Sequence, residues 1–162
     1  MAKENQNTFV HTNVRAFYKI AKEAYGAMNK DLNSSRRLKR GNERGYIITY
    51  DPDQKSFKNA FITIVFSGVL LESILHLLIV KLKGIDVFKK YDRKPYEDKL
   101  QLLGCNDQSI IDLCKKYRGA RREVVHEKAY LDNDYFRAAQ KEAEIAIELI
   151  NKVVDYFKLE IG

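Results

Sequence analysis

The pattern of apolar residues centres on one segment, residues 60–80, which reads AFITIVFSGVLLESILHLLIV with Glu72 as its one charged residue. A helix that is apolar on nearly all sides is normally buried among other helices. Asp51-Pro52-Asp53-Gln54 before it has a capping Asp, a Pro suited to the first helical position and a Gln suited to a capping box. Lys83-Gly84 suits the end of a helix, because a cation in the last turn is followed by a glycine. The pattern predicts a central helix over residues 52–83.

A membrane span is the alternative interpretation of the same segment, because its length is about right to cross a bilayer. Glu72 and His76 fall in its middle, where ionisable side chains are costly in lipid. Both flanks are basic, so they give no orientation signal. The neighbouring amphipathic segments also need an apolar surface to cover. These features favour a core helix, with no membrane contact.

Apolar residues at helical spacing predict three further long helices and one short one. The first covers residues 9–32, capped by Thr12 or Asn13. The short helix begins at Pro95 and ends at Gly104, and residues 85–95 are expected to form a connection. Two more long helices are predicted, one from a cap at Asn106 or Asp107 to about residue 128, the other carrying apolar residues from 136 to 157. The predicted class is all-α: one domain over residues 1–162, folded as an antiparallel bundle of four long helices and a short one.

Two residues inside these helices indicate close contacts. Gly68 would cost helix stability unless a neighbour approaches closely, so another helix is expected to cross there. Arg121 falls on the core stripe of its helix, beside Tyr117. A charge on such a stripe is normally paired or faces a functional cavity. Glu72 is the acidic group expected to pair with it. Glu72 and His76 share a face with Gly68, which either looks into a cleft or forms an internal hydrogen bond.

Residues 33–51 break the helical pattern and are predicted to be a basic loop insert. Residues 46–50 are β-prone, but they are too short and isolated to predict a sheet. Residues 33–45 contain one acidic residue, Glu43, and five basic residues: Arg36, Arg37, Lys39, Arg40 and Arg44. Their positive field suits an arm that contacts phosphates, and a solvated loop without a ligand is the alternative.

The whole chain is basic, with a net charge of +7 and a pI near 9.3, which is compatible both with an anionic partner and with an incidental excess of charge. Cys105 and Cys114 are expected to be reduced, and no second pair exists to build a zinc site. No metal or cofactor is expected. Residues 1–9 contain no apolar core of a secretory signal, so a cytoplasmic location is the default expectation.

Residues 115–128, KKYRGARREVVHEK, hold six basic side chains and His126 beside only two glutamates. On a regular helix His126 lies roughly 140° around from Arg121. The two side chains therefore reach one substrate only if the helix ends or distorts near His126, or if a dimer brings together copies from two chains. An ordinary surface histidine at a helix end is the alternative for His126.

The stretch from Arg121 to His126 matches the R-x4-H pattern of HEPN domains (higher eukaryotes and prokaryotes nucleotide-binding). The placement is also similar, because the motif lies late in the penultimate long helix and the apolar helix upstream carries Ser67 and Glu72 as S-x4-E. The resemblance covers residues 9–160 in architecture. One position departs from the family: active members typically have Asn, His or Asp after the motif arginine, and this chain has Arg122.

The resemblance implies a metal-independent endoribonuclease of the kind found as toxins in toxin–antitoxin pairs or in phage defence. It implies a homodimer that places two motifs in one basic cleft, with an antitoxin or a nucleotidyltransferase as candidate partner. Arg121 would grip phosphate oxygens as negative charge builds, and His126 would move a proton. Glu72 and Arg122 would support them. The alternative is a non-catalytic HEPN-like module that binds a nucleotide, an RNA or a protein.

Seven basic residues are expected to contact RNA on this interpretation. They are Arg36, Arg37, Lys39, Arg40, Lys115, Lys116 and Arg118.

Overall fold

A computed structural model of the chain describes residues 13–41, 44–49, 51–125 and 139–161. Six helices hold 75% of these residues, so the predicted, mostly helical bundle is confirmed for this part of the chain. The elements in chain order are α1 Val14–Ser34, β1 Arg36–Leu38, β2 Tyr46–Ile48, α2 Lys55–Lys83, α3 Ile85–Tyr91, α4 Tyr96–Leu102, α5 Gln108–Val125 and α6 Ala139–Tyr156.

The α2 helix lies at the centre of the bundle and contacts all five other helices of the described chain. Throughout residues 60–80, all of which are described, Ile62 is the single exposed residue. Ile64, Leu71 and Leu75 are fully buried among side chains from the neighbouring helices. By length and hydropathy α2 also passes as a membrane span, but half of its most apolar window is buried inside the bundle. That burial supports the interpretation of α2 as a core helix.

The start of α2 differs from the prediction. The helix begins at Lys55, with Gln54 at the N-cap in a left-handed conformation. The Gln54 N–H donates to the Asp51 carbonyl at 3.1 Å, so Pro52 lies in a turn rather than at the first helical position. Asp51 still acts as a cap, because its carboxylate accepts the Lys55 N–H at 2.6 Å. The end of α2 at Gly84 agrees with the prediction, and the glycine φ of 88° suits a residue without a Cβ.

The other boundaries within the described residues agree with the sequence to within two residues, except in residues 85–95. The predicted residues 9–12 of the first helix, the end of α5 near residue 128 and the start of the last helix lie outside the described residues. Asp107 caps α5 through its carboxylate, which accepts the Ser109 N–H at 2.8 Å. Pro95 precedes α4 as expected. The segment expected to be a connection contains α3, which has Asp86 in its first turn and two lysines in its last, the charge order that favours a short helix. The described part of the bundle therefore has two short helices, where the sequence predicts one.

The described residues between 33 and 51 include regular structure that the predicted loop lacks. The first two complete α1, and β1 pairs with β2 as a two-stranded antiparallel hairpin. Arg36 lies opposite Ile48, and Leu38 lies opposite Tyr46. The basic sequence of β1 does not indicate a strand, because strand formation depends on cross-strand partners more than on intrinsic propensity. All three β1 side chains are exposed, so the arginines of the hairpin remain in solvent.

Gly68 marks a close contact between α2 and α5, as the sequence predicted. A Cβ atom at this position would lie 2.5 Å from the Tyr117 hydroxyl and 3.0 Å from Nε of Arg121. The Tyr117 hydroxyl donates to the Ile64 carbonyl at 2.6 Å, so the phenol is fixed against the α2 backbone. The absence of a side chain at residue 68 therefore gives two α5 side chains room to cross α2.

Replacing Gly68 with alanine should destabilise the protein by about 1–3 kcal/mol, the usual range for overpacking, because the methyl group must displace Tyr117 or Arg121. The higher helix propensity of alanine, about 1 kcal/mol, opposes this loss. Gly26→Ala in α1 is the matched control, since nothing lies within 4 Å of its added Cβ. Denaturant unfolding measures both variants, and equal effects would contradict the close contact at Gly68.

Candidate functional site

An open cavity of about 590 Å³ lies where α2, the α3–α4 turn, α4 and α5 meet. Six of its ten lining residues are basic and two are acidic. The lining consists of Glu72, Asp92, Arg93, Lys94, Pro95, Tyr96, Lys99, Arg118, Arg121 and Arg122. The excess of positive charge makes this wall suitable for an anionic ligand.

Arg121 enters the cavity wall from the core side of α5. It lies one turn after the buried Tyr117 and therefore on the same apolar face of α5. Its Nη1 donates to the Tyr96 hydroxyl at 2.7 Å. Among the described residues Tyr96 is its hydrogen-bond partner, so the remaining guanidinium donors are available to a ligand. Arg121 therefore faces a cavity and has no acidic partner among the described residues.

The predicted ion pair between Glu72 and Arg121 is wrong within the described structure, although both residues line the cavity. Glu72 Oε1 instead lies 3.8 Å from Nε2 of His76, one turn along the same helix. The physical reason is local, because residues four apart on a helix are already neighbours. Tyr96 from α4 is the group that contacts the guanidinium. Glu72 therefore acts on the cavity as a nearby carboxylate rather than as the partner of Arg121.

Lys99 is an almost fully buried lysine with its ammonium at the cavity wall. Its Nζ donates to the Asp92 carbonyl at 2.7 Å and lies 3.0 Å from Nε2 of His76. Burial lowers the pKa of Lys99, and the Glu72 and Asp92 carboxylates oppose that change. These contacts join α2, the α3–α4 turn and α4 at one point.

His76 is neutral at pH 7 in this arrangement. Burial lowers its pKa, the Lys99 ammonium lowers it further, and the carboxylates of Glu72 and Asp92 act in the opposite direction. Its Nε2 accepts from Lys99, so the ring proton belongs on Nδ1. The ring packs edge-on against Phe88 with centroids 4.8 Å apart.

Three basic residues at the cavity have no partner among the described residues. Arg93, Lys94 and Arg122 are exposed, and their side chains have no ion pair or hydrogen bond with the described chain. Arg118 differs, because its Nη2 lies 3.3 Å from Oε1 of the nearly buried Glu97. The unpaired cations are the ones most available to phosphates that flank a ligand in the cavity.

The residues expected to contact RNA divide between two surfaces. Arg118, together with Arg121 and Arg122, lines the cavity, whereas Lys115 and Lys116 are exposed on α5 outside it. The other expected residues belong to the hairpin surface, which we define by Arg36, Arg37, Lys39 and Arg40, all exposed.

The hairpin surface is well separated from the cavity. Arg37 and Lys55, at the start of α2, line the same small depression. From Lys55 to Glu72 the helix rises about 25 Å at 1.5 Å per residue. The hairpin is therefore a second basic surface and not a wall of the cavity.

His126 lies outside the described residues, which end at Val125 in this part of the chain. The predicted convergence of Arg121 and His126 therefore remains a prediction.

Sequence reasoning missed the contribution of the α3–α4 turn and α4, which supply Asp92, Arg93, Lys94, Tyr96 and Lys99. One signal was present in the sequence. Lys99 occupies the same helical face as Tyr96, Leu100 and Leu103, so it interrupts an apolar stripe as Arg121 does. The argument that singled out Arg121 applies equally to Lys99.

The two cysteines do not offer a nucleophile. Both are free and buried. Burial raises the pKa of Cys114 to about 12, with the Glu97 carboxylate acting in the same direction, and burial also raises the pKa of Cys105. Thiols with raised pKa values are poor nucleophiles at neutral pH. The described residues also contain no cluster of three His, Cys, Asp or Glu side chains suited to a metal ion.

No protein-family model, curated protein or solved structure matches this chain. The geometry of the cavity and the sequence motif are therefore the basis on which a function is proposed.

His76 should titrate below the ordinary histidine pKa of about 6.5, because burial and the Lys99 ammonium disfavour the imidazolium. Lys99→Met removes that ammonium and should raise the pKa of His76. Glu72→Gln removes a carboxylate and should lower it further. Proton NMR of the imidazole measures these changes, and a His76→Gln spectrum identifies the signal. An unchanged His76 pKa in Lys99→Met would contradict the contact.

The same shift makes stability depend on pH. Because the pKa of His76 is lower in the folded state, the unfolded state binds that proton more tightly. The contribution of His76 to the free energy of unfolding is therefore lost as pH falls from about 6.5 through the depressed folded-state value. The stability of His76→Gln should vary less over that window than the stability of the original chain.

Proposed function

We propose that this protein is a metal-independent endoribonuclease of the HEPN type and that the cavity holds the phosphate to be cleaved. The observation that carries the proposal is Arg121, whose guanidinium reaches from the core side of α5 into a predominantly basic cavity. Arginine keeps its charge at all working pH values and presents paired donors that match phosphate oxygens. A carboxylate partner would have cancelled this charge, and its described partner is instead a neutral phenol.

The proposed reaction needs no metal, because the ribose 2′-oxygen can attack its own phosphorus. The bond between the 2′-oxygen and phosphorus forms while the bond to the 5′-oxygen breaks, which leaves a 2′,3′-cyclic phosphate and a 5′-hydroxyl. His126 takes the proton of the 2′-hydroxyl or gives one to the leaving oxygen. Arg121 stabilises the negative charge that develops on the phosphate.

The unpaired cations of the cavity support the binding of a polymer rather than of one isolated phosphate. Arg93, Lys94 and Arg122 extend the positive surface away from Arg121 and can neutralise flanking phosphates. Arg122 takes the place of the Asn, His or Asp of active family members, and on this proposal it binds RNA.

The proposal includes a homodimer with α5 near the two-fold axis, because a partner chain supplies a second Arg121 and His126 to one cleft. The separation of roughly 140° between the two residues on a regular helix makes such convergence useful. Light scattering at high micromolar concentration should give twice the chain mass, and a monomer under those conditions would contradict this part of the proposal.

A non-catalytic RNA-binding module of the same fold is the second candidate. It is favoured by the composition of the described cavity, in which the basic groups are suited to hold an anion, and by Arg122 at the position after the motif arginine. The two candidates differ in one observable, because only the first produces new RNA ends.

If the protein cleaves RNA, Arg121→Ala and His126→Ala should each remove most activity while EDTA leaves it intact. Loss of Arg121 removes a charge-stabilising donor, worth about 10²–10³ in rate. Loss of His126 removes proton transfer, worth about 10²–10⁴. Gel analysis of mixed RNA measures cleavage, and the products should carry a 2′,3′-cyclic phosphate.

Lys19→Ala is the matched control for these two variants, since it removes an exposed positive charge on α1, a helix that does not line the cavity. It should keep most of its activity, and circular dichroism should show that all variants remain folded. A fully active His126→Ala protein would remove the basis for a HEPN-type nuclease. Absence of cleavage together with intact RNA binding would favour the non-catalytic module.

Charge reversal at Arg36, Arg37 and Arg40 should weaken RNA binding without unfolding the protein, because all three side chains are exposed. Each cation that neutralises a phosphate of single-stranded RNA contributes about −0.7 to the slope of log affinity against log salt. The variant should therefore show a shallower slope in filter binding at several salt concentrations. Unchanged affinity and slope would show that the hairpin surface does not contact RNA.

A further inference from the structure

We propose that the Tyr96 hydroxyl donates a hydrogen bond to the same phosphate that Arg121 binds, so that a neutral phenol and a guanidinium form one clamp. The inference rests on the proposed function, since it assumes an RNA phosphate in the cavity. It assigns a ligand contact to α4, a helix to which the sequence motif gives no role.

The hydrogen-bond direction at Tyr96 supports this role. Arg121 has no acceptor atoms on its guanidinium, so in the 2.7 Å contact the arginine donates and the phenol oxygen accepts. The hydroxyl proton of Tyr96 must then point elsewhere. No described residue accepts it, and Tyr96 lines the cavity. The cavity therefore contains a hydroxyl donor whose natural acceptor is a ligand.

Burial, assisted by the Glu72 carboxylate, keeps this donor protonated. Burial raises the pKa of Tyr96, the Arg121 guanidinium opposes that change, and the nearby Glu72 carboxylate raises it again. The phenol therefore remains neutral throughout the physiological range. The atoms that carry the two donors lie 2.7 Å apart, which suits two oxygens of one phosphate.

The position of Tyr96 is fixed by the elements around it. Leu100, one turn further along α4, is fully buried in the core. Lys99 ties the same helix to the Asp92 carbonyl and to His76 on α2. A donor held before the ligand arrives loses little conformational entropy on binding.

Tyr117 provides a natural comparison, because it also lies against Arg121 and Gly68. Its hydroxyl proton is already used, since it donates to the Ile64 carbonyl at 2.6 Å. Tyr117 is fully buried and does not line the cavity. Of these two hydroxyl groups, the one on Tyr96 is available to a ligand.

The test measures binding of a 2′-O-methyl RNA octamer, which lacks the attacking hydroxyl and so reports affinity without cleavage. Tyr96→Phe should weaken binding about tenfold or more, the usual effect of losing a hydrogen bond to a charged group. Tyr156→Phe is the matched control and should bind as the original chain does, because its hydroxyl bonds to the Gly104 carbonyl outside the cavity lining.

The salt dependence separates a direct contact from a positioning role. Arg121→Ala should make the slope of log affinity against log salt shallower by about 0.7. Tyr96→Phe removes no charge, so its slope should equal that of the original chain. A slope reduced as in Arg121→Ala would show that Tyr96 only positions the arginine, which would overturn the inference.

The remaining outcomes are distinct from failure of the proposed function. Weak binding by Arg121→Ala with normal binding by Tyr96→Phe overturns the clamp alone. Normal binding by both variants overturns the phosphate site as well. As a measurement independent of any variant, ¹³C NMR of the tyrosine Cζ atoms should show a shift for Tyr96 and none for Tyr117 when the octamer binds. An unshifted Tyr96 signal at saturation would also overturn the inference.

Discussion

The crossing of α5 over Gly68 is the contact on which the rest of the site depends. With no side chain at residue 68, Tyr117 bonds to the α2 backbone and Arg121 passes over the same point. That close approach fixes how far α5 lies from α2 and directs the guanidinium toward α4 rather than into the core. The cavity is the space left between α4, α5 and the α3–α4 turn once this crossing is made.

Neutral groups rather than carboxylates hold the two partly buried cations of the site. Arg121 is held by a phenol, and Lys99 by a backbone carbonyl and a neutral imidazole. A direct carboxylate partner would satisfy such a charge and cancel its field. Neutral acceptors satisfy hydrogen-bonding requirements while the positive charge stays available, which is the arrangement that an anion-binding site requires.

Local sequence patterns identified most helices. They did not identify the short segments whose structure depends on contacts with other elements. Residues 85–91 form a short helix and β1 pairs with β2, whereas the sequence pattern predicts irregular connections for both segments. In each case the segment is too short to be stable alone. The α3 helix is stabilised by packing against α2. The β2 strand is stabilised by pairing with β1, whose basic sequence does not indicate a strand. Periodicity measured over one segment does not contain that information.

The sequence by itself determined three features: the central apolar helix, the close approach of another helix at Gly68, and the unusual position of a charged residue, Arg121, on a core stripe. These features follow from composition and from the 3.6-residue period, which fixes the face of a helix on which each residue lies. Tertiary structure alone decided that Tyr96 meets Arg121 and that Lys99 meets His76. Periodicity gives the direction of a side chain, but its partner is set by the packing of helices far apart in the chain, and that packing is a property of the whole core.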